Sequence, residues 1–462
     1  MSGTASARTL HPVTSVVPGG GRVARRHLLP PGGHIDPFAL AGDGGSMVSS
    51  ADRVLVGVGT ARQIALPGGL ADIAGLDRAV AELASFGCDD LLPAATTSLR
   101  PVLAFGALPF DRAAPATLVV PETLYCREAD GTEWATVMAG PDGEAPDETP
   151  DGLRDRLVAM AAAHLADPSL PMGAQVVPRS TDAEFEAAVA LAVEAIGRHE
   201  IAKVVLARRV DVTLDRTPDL SALLRRWGAL EPNGTLFSLP TPAGQFVGAS
   251  PELLVERHGD HVRSRPLAGT TDRYPDVASP LPLELLESTK DTEEHRLVVE
   301  AISDALRPWC DVLDVPERPE LVHLHNLTHL GTTIEGTLRS QPDRAAPSVL
   351  HLAALLHPTP AVGGVPQAAA LELIARLEGE PRGPYAGPVG FLDGAGDGRF
   401  VVGIRAMTVA GDTATLTAGV GVVEGSRPET ERDEATLKFT AVFDALAPGV
   451  AFDTSGRTSA AR

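Results

Sequence analysis

Hydrophobic positions fall into two periods along this chain. In Lys203–Val212 they alternate, with Val204, Leu206 and Val210 on one side, which predicts a half-buried strand. In Glu184–Gly197 they recur at helical spacing and predict an amphipathic helix. Long helices are predicted over Glu284–Leu306 and Pro428–Leu446. Asp397-Gly398 separates the strand-like runs Gly387–Leu392 and Arg399–Val409, and Gly411-Asp412 follows. These turn dipeptides predict an antiparallel meander. Weaker strand signals lie at Arg53–Gly59 and Pro101–Gly106, with a helical stretch over Ile73–Phe86. Residues 140–152 are rich in Gly, Pro, Asp and Glu and are expected to form an acidic linker or long loop. There is no internal repeat and no alternation of strand and helix. The class is α+β, with antiparallel sheets and helices packed outside.

Composition narrows the partners. The 462 residues are 44% hydrophobic, enough for a large core. A formal net charge of −21 should repel nucleic acid and anionic membranes. A small anionic substrate would then need a cation, or a few Lys and Arg side chains, to enter. Cys88, Cys126 and Cys310 match no zinc or disulfide framework, so a reducing cytoplasm is expected. No apolar run is long enough to span a bilayer. Residues 1–35 carry Arg8, Arg22, Arg25 and Arg26 among Gly and Pro but lack an apolar segment of signal-peptide type. They are expected to be a disordered leader, and residues 449–462 a flexible tail.

Two acidic segments have the same spacing. Lys290-Asp291-Thr292-Glu293-Glu294-His295 and Glu431-Arg432-Asp433-Glu434 each place two carboxylates at i and i+3 on one helical face. If the faces meet, the acids repel unless a cation sits between them, and oxygen ligands suit a hard ion such as Mg2+. The same acids also fit two solvated first turns favoured by the helix dipole, and spacing alone does not decide. Lys203 opens an apolar strand, where an enclosed amine can act as a base or simply snorkel to water. Glu252 follows a Ser-Pro turn and, if buried, could be held protonated as a general acid. His323, His325 and His329 allow a zinc site but lack a nearby fourth ligand. Gly419-Val-Gly421 with Gly425 has the glycine spacing of a phosphate loop but lacks the strand–helix context of a nucleotide fold.

Seven ordered segments carry a resemblance. They are Lys203–Arg208, Ser250-Pro-Glu252, Arg265-Pro-Leu-Ala-Gly-Thr270, Lys290-Asp-x-x-Glu-His295, His357-Pro-Thr-Pro-Ala-Val-Gly-Gly364, Gly403-Ile-Arg405 and Glu431-x-x-Glu434-x-x-x-Lys438. Together they resemble the chorismate-utilising enzymes, among which isochorismate synthase is the closest. The resemblance covers residues 180–448 and is less distinct before that. It implies a single fold of the anthranilate synthase component I type over 36–448, an antiparallel β-sheet sandwich core with outer helices. Residues 36–150 would be its divergent N-terminal part. It also implies Mg2+ held by Glu294 and Glu434, with Asp291 and Glu431 acting through bound water, and the ring carboxylate of chorismate on the metal. Arg405, Gly419 and Lys438 are implied to hold the substrate carboxylates. Gly269, Thr270, His329 and Tyr385 are implied to line the pocket.

The resemblance also sorts the chemistry. Amine-transferring members typically carry Gln where this chain has Lys203, and aminodeoxychorismate synthase carries a Lys nucleophile where it has Ala268. Water is therefore the implied nucleophile. Lys203 would take its proton as it attacks C2, and Glu252 would protonate the departing C4 hydroxyl. Salicylate synthases typically have Thr, Tyr and Leu where this chain has Ala361, Tyr385 and Ile404; isochorismate synthases have Ala, Phe and Ile. The implied enzyme is isochorismate synthase, feeding siderophore (2,3-dihydroxybenzoate) or menaquinone biosynthesis. Salicylate synthase, with an added pyruvate elimination, is the alternative, and a non-enzymatic chorismate-binding protein a further one. A monomer without a glutaminase subunit is expected.

Overall fold

The computed structural model describes residues 24–42, 44–93, 96–139, 147–164, 170–272, 283–324, 327–339, 346–453 and 458–460. Strands within it form a fourteen-stranded sheet, a nine-stranded sheet and a small three-stranded sheet. Pairing among the described residues is antiparallel, apart from Ala24–Leu28 beside Cys88–Asp90. The wide sheet centres on Lys203–Leu214, paired with Thr413–Val422 from Val204 opposite Val422 to Thr213 opposite Thr413.

The two large sheets pack face to face. Leu55, Trp134, Phe237 and Phe246 of the wide sheet meet Phe105, Val389, Phe391 and Val401 of the other. Each such side chain contributes about 1.5–3 kcal/mol by leaving water. Helices cover the outsides. Pro150–Ala163, Leu220–Leu230 and Pro428–Leu446 bury Leu157, Leu224 and Phe443 against the wide sheet. Ile73–Ala84, Thr289–Leu306 and Val349–Leu356 bury Leu76, Val298 and Leu352 in the cluster around the second sheet. The expected sandwich with outer helices is what the chain forms.

Two strands change sheets, and this positions the chemistry. Gly244–Ser250 belongs to the wide sheet and Leu253–His258 to the second, with only Pro251 and Glu252 between them. Gly398–Val402 belongs to the second sheet and Ala406–Ala410 to the wide one, separated by Gly403, Ile404 and Arg405. The single run predicted over Arg399–Val409 is thus two strands. The crossings lie side by side. Ser250 Oγ donates to Val402 O at 2.6 Å, the Val402 amide to Glu252 O at 3.0 Å, and the Ala249 amide to Arg405 O at 3.1 Å. These bonds hold Arg405 at φ +50°, a left-handed conformation that costs a non-glycine residue about 1–3 kcal/mol.

Four boundaries differ from expectation. The leader does not extend to residue 35: Ala24–Leu28 pairs with Glu133–Met138, and Arg26 and His27 are buried. Residues 1–23 lie outside the described residues. The tail is not wholly loose. Val450 is buried, Phe452 stacks on Phe439 at 5.8 Å, and Thr458–Ala460 pairs with Gly173–Gln175. The linker ends earlier than 152, because Pro150 opens a helix whose first turn is capped by the Thr149 side chain on the Gly152 amide. Residues 140–146 of that linker lie outside the described residues. The helix predicted over Glu284–Leu306 breaks into Leu283–Glu287 and Thr289–Leu306, since Ser288 leaves the helix to cap the Asp291 amide. No helix among the described residues is long and apolar enough to cross a membrane.

Candidate active site

A cavity opens where the two sheet crossings meet the helices Thr289–Leu306 and Pro428–Leu446. The crossings supply Glu252, Ile404 and Arg405. The first helix supplies Asp291 and Glu294, and the second Glu434 and Lys438. Gly269, His329, Ala361, Tyr385 and Gly419 complete the predicted residues that line it. Thr270 lies opposite His329 in the strand pairing, and its side chain is outside the described residues. Lys203 and Glu431 do not line the cavity; both are fully buried at its edge.

Among the described residues no three His, Cys, Asp or Glu side chains close around a single ion. Each of three carboxylates faces a lysine instead. Lys203 Nζ stands 2.9 Å from Glu294 Oε1, close but without good hydrogen-bond angles. Lys290 Nζ donates to Glu431 Oε1 at 3.1 Å, and Lys438 Nζ lies 2.7 Å from Glu434 Oε1 while donating to Gly419 O at 2.8 Å. The amines had not been expected as partners of the acids. Only the Glu434–Lys438 pair, at i and i+4, is local enough to read from spacing.

The acids still feel one another. Burial raises Asp291 above the usual carboxylate range, and Glu294 and Glu434 add to this. Burial likewise raises Glu431, helped by Glu434, and its Oε2 has no hydrogen-bond partner. Burial works against the Lys290 ammonium, but Glu431, Glu434 and Glu294 outweigh it and raise its pKa.

Gly421 explains the glycine pattern that hinted at a phosphate loop. It lies on the strand Thr413–Val422, opposite Val205, and not at a helix start. A Cβ there would sit 2.4 Å from Glu294 Oε1 and 3.4 Å from Lys203 Cε. The strand must be bare at this point for the ion pair to lie over it.

Glu252 is the acid whose surroundings differ most from water. Burial pushes its carboxyl up to about 8, against the pull of Lys203, of the Leu267 amide and of Lys438. Its Oε1 has no hydrogen-bond partner. At neutral pH the group is protonated and can donate. His329 is neutral: burial first and then Arg405 bring it down to about 3. Its Nδ1 lies 2.9 Å from Gly269 O, so Nδ1 carries the proton, and Nε2 accepts from Arg405 Nη2 at 3.2 Å. Both ring nitrogens are thus engaged, which removes His329 as a zinc ligand. His323 Nδ1 pairs with Thr328 Oγ1 at 3.0 Å, and His325 lies outside the described residues. Arg405 keeps Nη1 buried and unpartnered beside the cavity, as a carboxylate fork requires. The Tyr385 hydroxyl meets the Gly419 backbone, and burial raises it to about 12.

Sequence reasoning missed Lys290, Val205, Leu267, Val362 and Gly421 as lining residues. Lys290 was discoverable, because it stands one turn before Glu294. The apolar ones carry no chemical signal.

A family model described as chorismate binding enzyme matches residues 49–447. MenF of Mycobacterium tuberculosis is 40% identical over 375 residues, covering 78% of this chain and 90% of that protein. The isochorismate synthase DhbC of Bacillus subtilis is 35% identical over 353 residues, covering 74% of this chain and 80% of that one. The solved structure of MenF, the menaquinone-specific isochorismate synthase from Escherichia coli, matches with a TM-score of 0.72 at 23% identity. It covers 92% of this chain and 95% of that one, and at that identity the likeness speaks for the fold. A match that spans most of the chain, over a cavity lined by the same ordered segments, places this protein in the family of chorismate-binding enzymes.

Proposed function

We propose that this protein is an isochorismate synthase, converting chorismate to isochorismate by adding water at C2 and releasing the C4 hydroxyl. The observation that carries this reading is Glu252. It is buried, protonated at neutral pH and has one oxygen without a partner beside a cavity whose wall also holds the Arg405 fork. A neutral carboxyl is what a departing hydroxyl needs as proton donor. Lys203 is the base. Its amine stands 2.9 Å from Glu294 Oε1. Arg405 holds a substrate carboxylate, and its Nη2 donates to His329 Nε2. Ala268 leaves no nucleophilic amine on the Leu267–Asp272 strand, which favours water over a covalent route.

The donor set fits Mg2+. Asp291, Glu294, Glu431 and Glu434 offer only oxygens, and an orphaned oxygen on Glu431 marks an unfilled need. A dianionic substrate adds negative charge beside these acids, which one divalent cation would offset. Glu294 and Glu434 would hold the metal, with Asp291 and Glu431 acting through water. The bound ion would fix the ring carboxylate and draw charge from the ring.

The enzyme acts without a glutaminase subunit, as a cytoplasmic monomer, and its product feeds either siderophore or menaquinone biosynthesis. Tyr385 favours one second reading, salicylate synthase, because that position is typically Tyr there. Incubation with chorismate and Mg2+ followed by product separation tests both. Isochorismate alone is expected. Salicylate with pyruvate would move the assignment, and no turnover would overturn it.

A further inference from the structure

Arg382 lies outside the cavity, and no step above uses it. Its side chain is 1% exposed. Nη1 donates to Val362 O at 2.7 Å, and Nη2 donates to Val205 O at 2.8 Å and to Glu378 Oε1. Nε donates to Glu378 Oε2 at 2.9 Å, and Glu378 Oε1 also accepts the Ala207 amide at 2.9 Å. The Phe110 ring centroid stands 4.3 Å from the guanidinium carbon. Phe110 in turn packs edge-on against His357, whose Nε2 lies 2.8 Å from Phe110 O.

Three segments of the cavity wall meet on this one guanidinium. Val205 stands two residues after Lys203 on the same strand. Val362 follows Ala361 in the loop 357–364, and its neighbour Gly363 accepts the Val205 amide at 2.8 Å. Arg382 itself precedes Tyr385 by three residues. Val205, Ala361, Val362 and Tyr385 all line the cavity. The strand that carries Lys203 and the two segments that shape the substrate side are therefore joined through a single planar fork.

We propose that Arg382 is a positioning residue for water addition, fixing the Lys203 strand against the Ala361–Val362 loop and the Tyr385 segment. The bonds have fixed directions, because a guanidinium presents its donors in one plane, and an ammonium on a flexible stem cannot reproduce them. A drift of about 1 Å between a base and its reacting atom costs roughly 100-fold in rate. This inference rests on the reading of the protein as an isochorismate synthase.

Arg382→Lys tests the fork while keeping a positive charge under Phe110. Arg382→Met combined with Glu378→Met removes both buried charges at once, so neither is left unpaired. Both variants are expected to fold by circular dichroism and to bind chorismate in Mg2+ within about threefold of wild type, while kcat falls roughly 100-fold. Millimolar guanidinium is expected to restore part of the kcat of Arg382→Ala and none of that of the double Met variant, whose side chains fill the space. Full kcat in Arg382→Lys and the double variant overturns the inference, as does affinity falling in step with kcat, or an Arg382→Ala enzyme that guanidinium does not improve. An inert wild-type protein would instead sink the functional reading itself, which separates the two failures.

Discussion

Lys203 Nζ and Glu294 Oε1 face each other at 2.9 Å over the bare backbone of Gly421. The base of the proposed reaction and a proposed metal ligand are thus one ion pair. Lys203→Ala removes the base without touching the Arg405 fork. Turnover should fall by about 10²–10⁴-fold, while chorismate affinity by titration calorimetry stays near wild type. A variant with full turnover would take Lys203 out of the mechanism.

Gly421→Ala probes the same pair from below. Its methyl would stand 2.4 Å from Glu294 Oε1, so the carboxylate must move. Overpacking of this kind costs about 1–3 kcal/mol. Loss of stability in urea together with a raised Mg2+ requirement is the expected outcome. An unaltered Mg2+ titration would show that Glu294 has room to spare.

Glu252 sets two pH dependences. Its carboxyl is held at about 8 when folded, against 4.5 for the free side chain. Between those values the folded protein binds a proton that the unfolded chain does not. Stability from this group is therefore greatest below about 4.5, falls as pH rises to about 8, and is level above that. Glu252→Gln should flatten that slope in denaturant titrations. The wild-type kcat should decline above pH 8 as the acid ionises, and the Gln variant should lose about 10²–10⁴-fold at every pH.

Arg405→Lys replaces a fork by a point charge. KM for chorismate should rise by about 10–100-fold with a smaller change in kcat, since one bidentate contact is lost. The His329 ring also loses a donor on Nε2. An unchanged KM would place the substrate carboxylate elsewhere.

Glu434→Ala frees Lys438 from its 2.7 Å partner and removes a proposed metal oxygen. Mg2+ dependence and substrate affinity should weaken together, by about tenfold or more. A chelator should abolish wild-type turnover, and added Mg2+ should restore it. Retained turnover after chelation would remove the metal from the reaction.

Local signals in the chain served where local forces rule. The helix Pro428–Leu446 appears with the bounds its pattern predicts, because Pro428, the acidic first turn and the apolar stripe all act within a few residues. The break at Ser288 was hidden, since a serine in a helical pattern is read as exposed until its cap partner, the Asp291 amide, is known. The helix over Pro150–Ala163 was hidden by a Pro-Asp-Gly that reads equally as linker and as first turn. The crossing at 403–405 was hidden for a different reason. Its strand-like run continues without a break, and the partners that tell the two sheets apart, Leu253–His258 for one half and Gly244–Ser250 for the other, lie about 150 residues away in sequence. At the site, motif positions named most of the lining residues, but not which lysine faces which acid. Lys290 and Glu431 lie 141 residues apart and meet only in the folded chain.

The two neighbouring crossings have a bearing on how the enzyme comes into being. Glu252 and Arg405 each sit on a hinge between sheets, so neither reaches its place until both sheets have formed and docked. Folding of a single sheet leaves the proton donor and the anion fork apart. Such a chain has no partial activity to offer, and competence to transform chorismate should appear in one step, at the last closure of the sandwich. Refolding followed by activity should therefore lag refolding followed by strand content, and the lag should measure the docking of one sheet on the other.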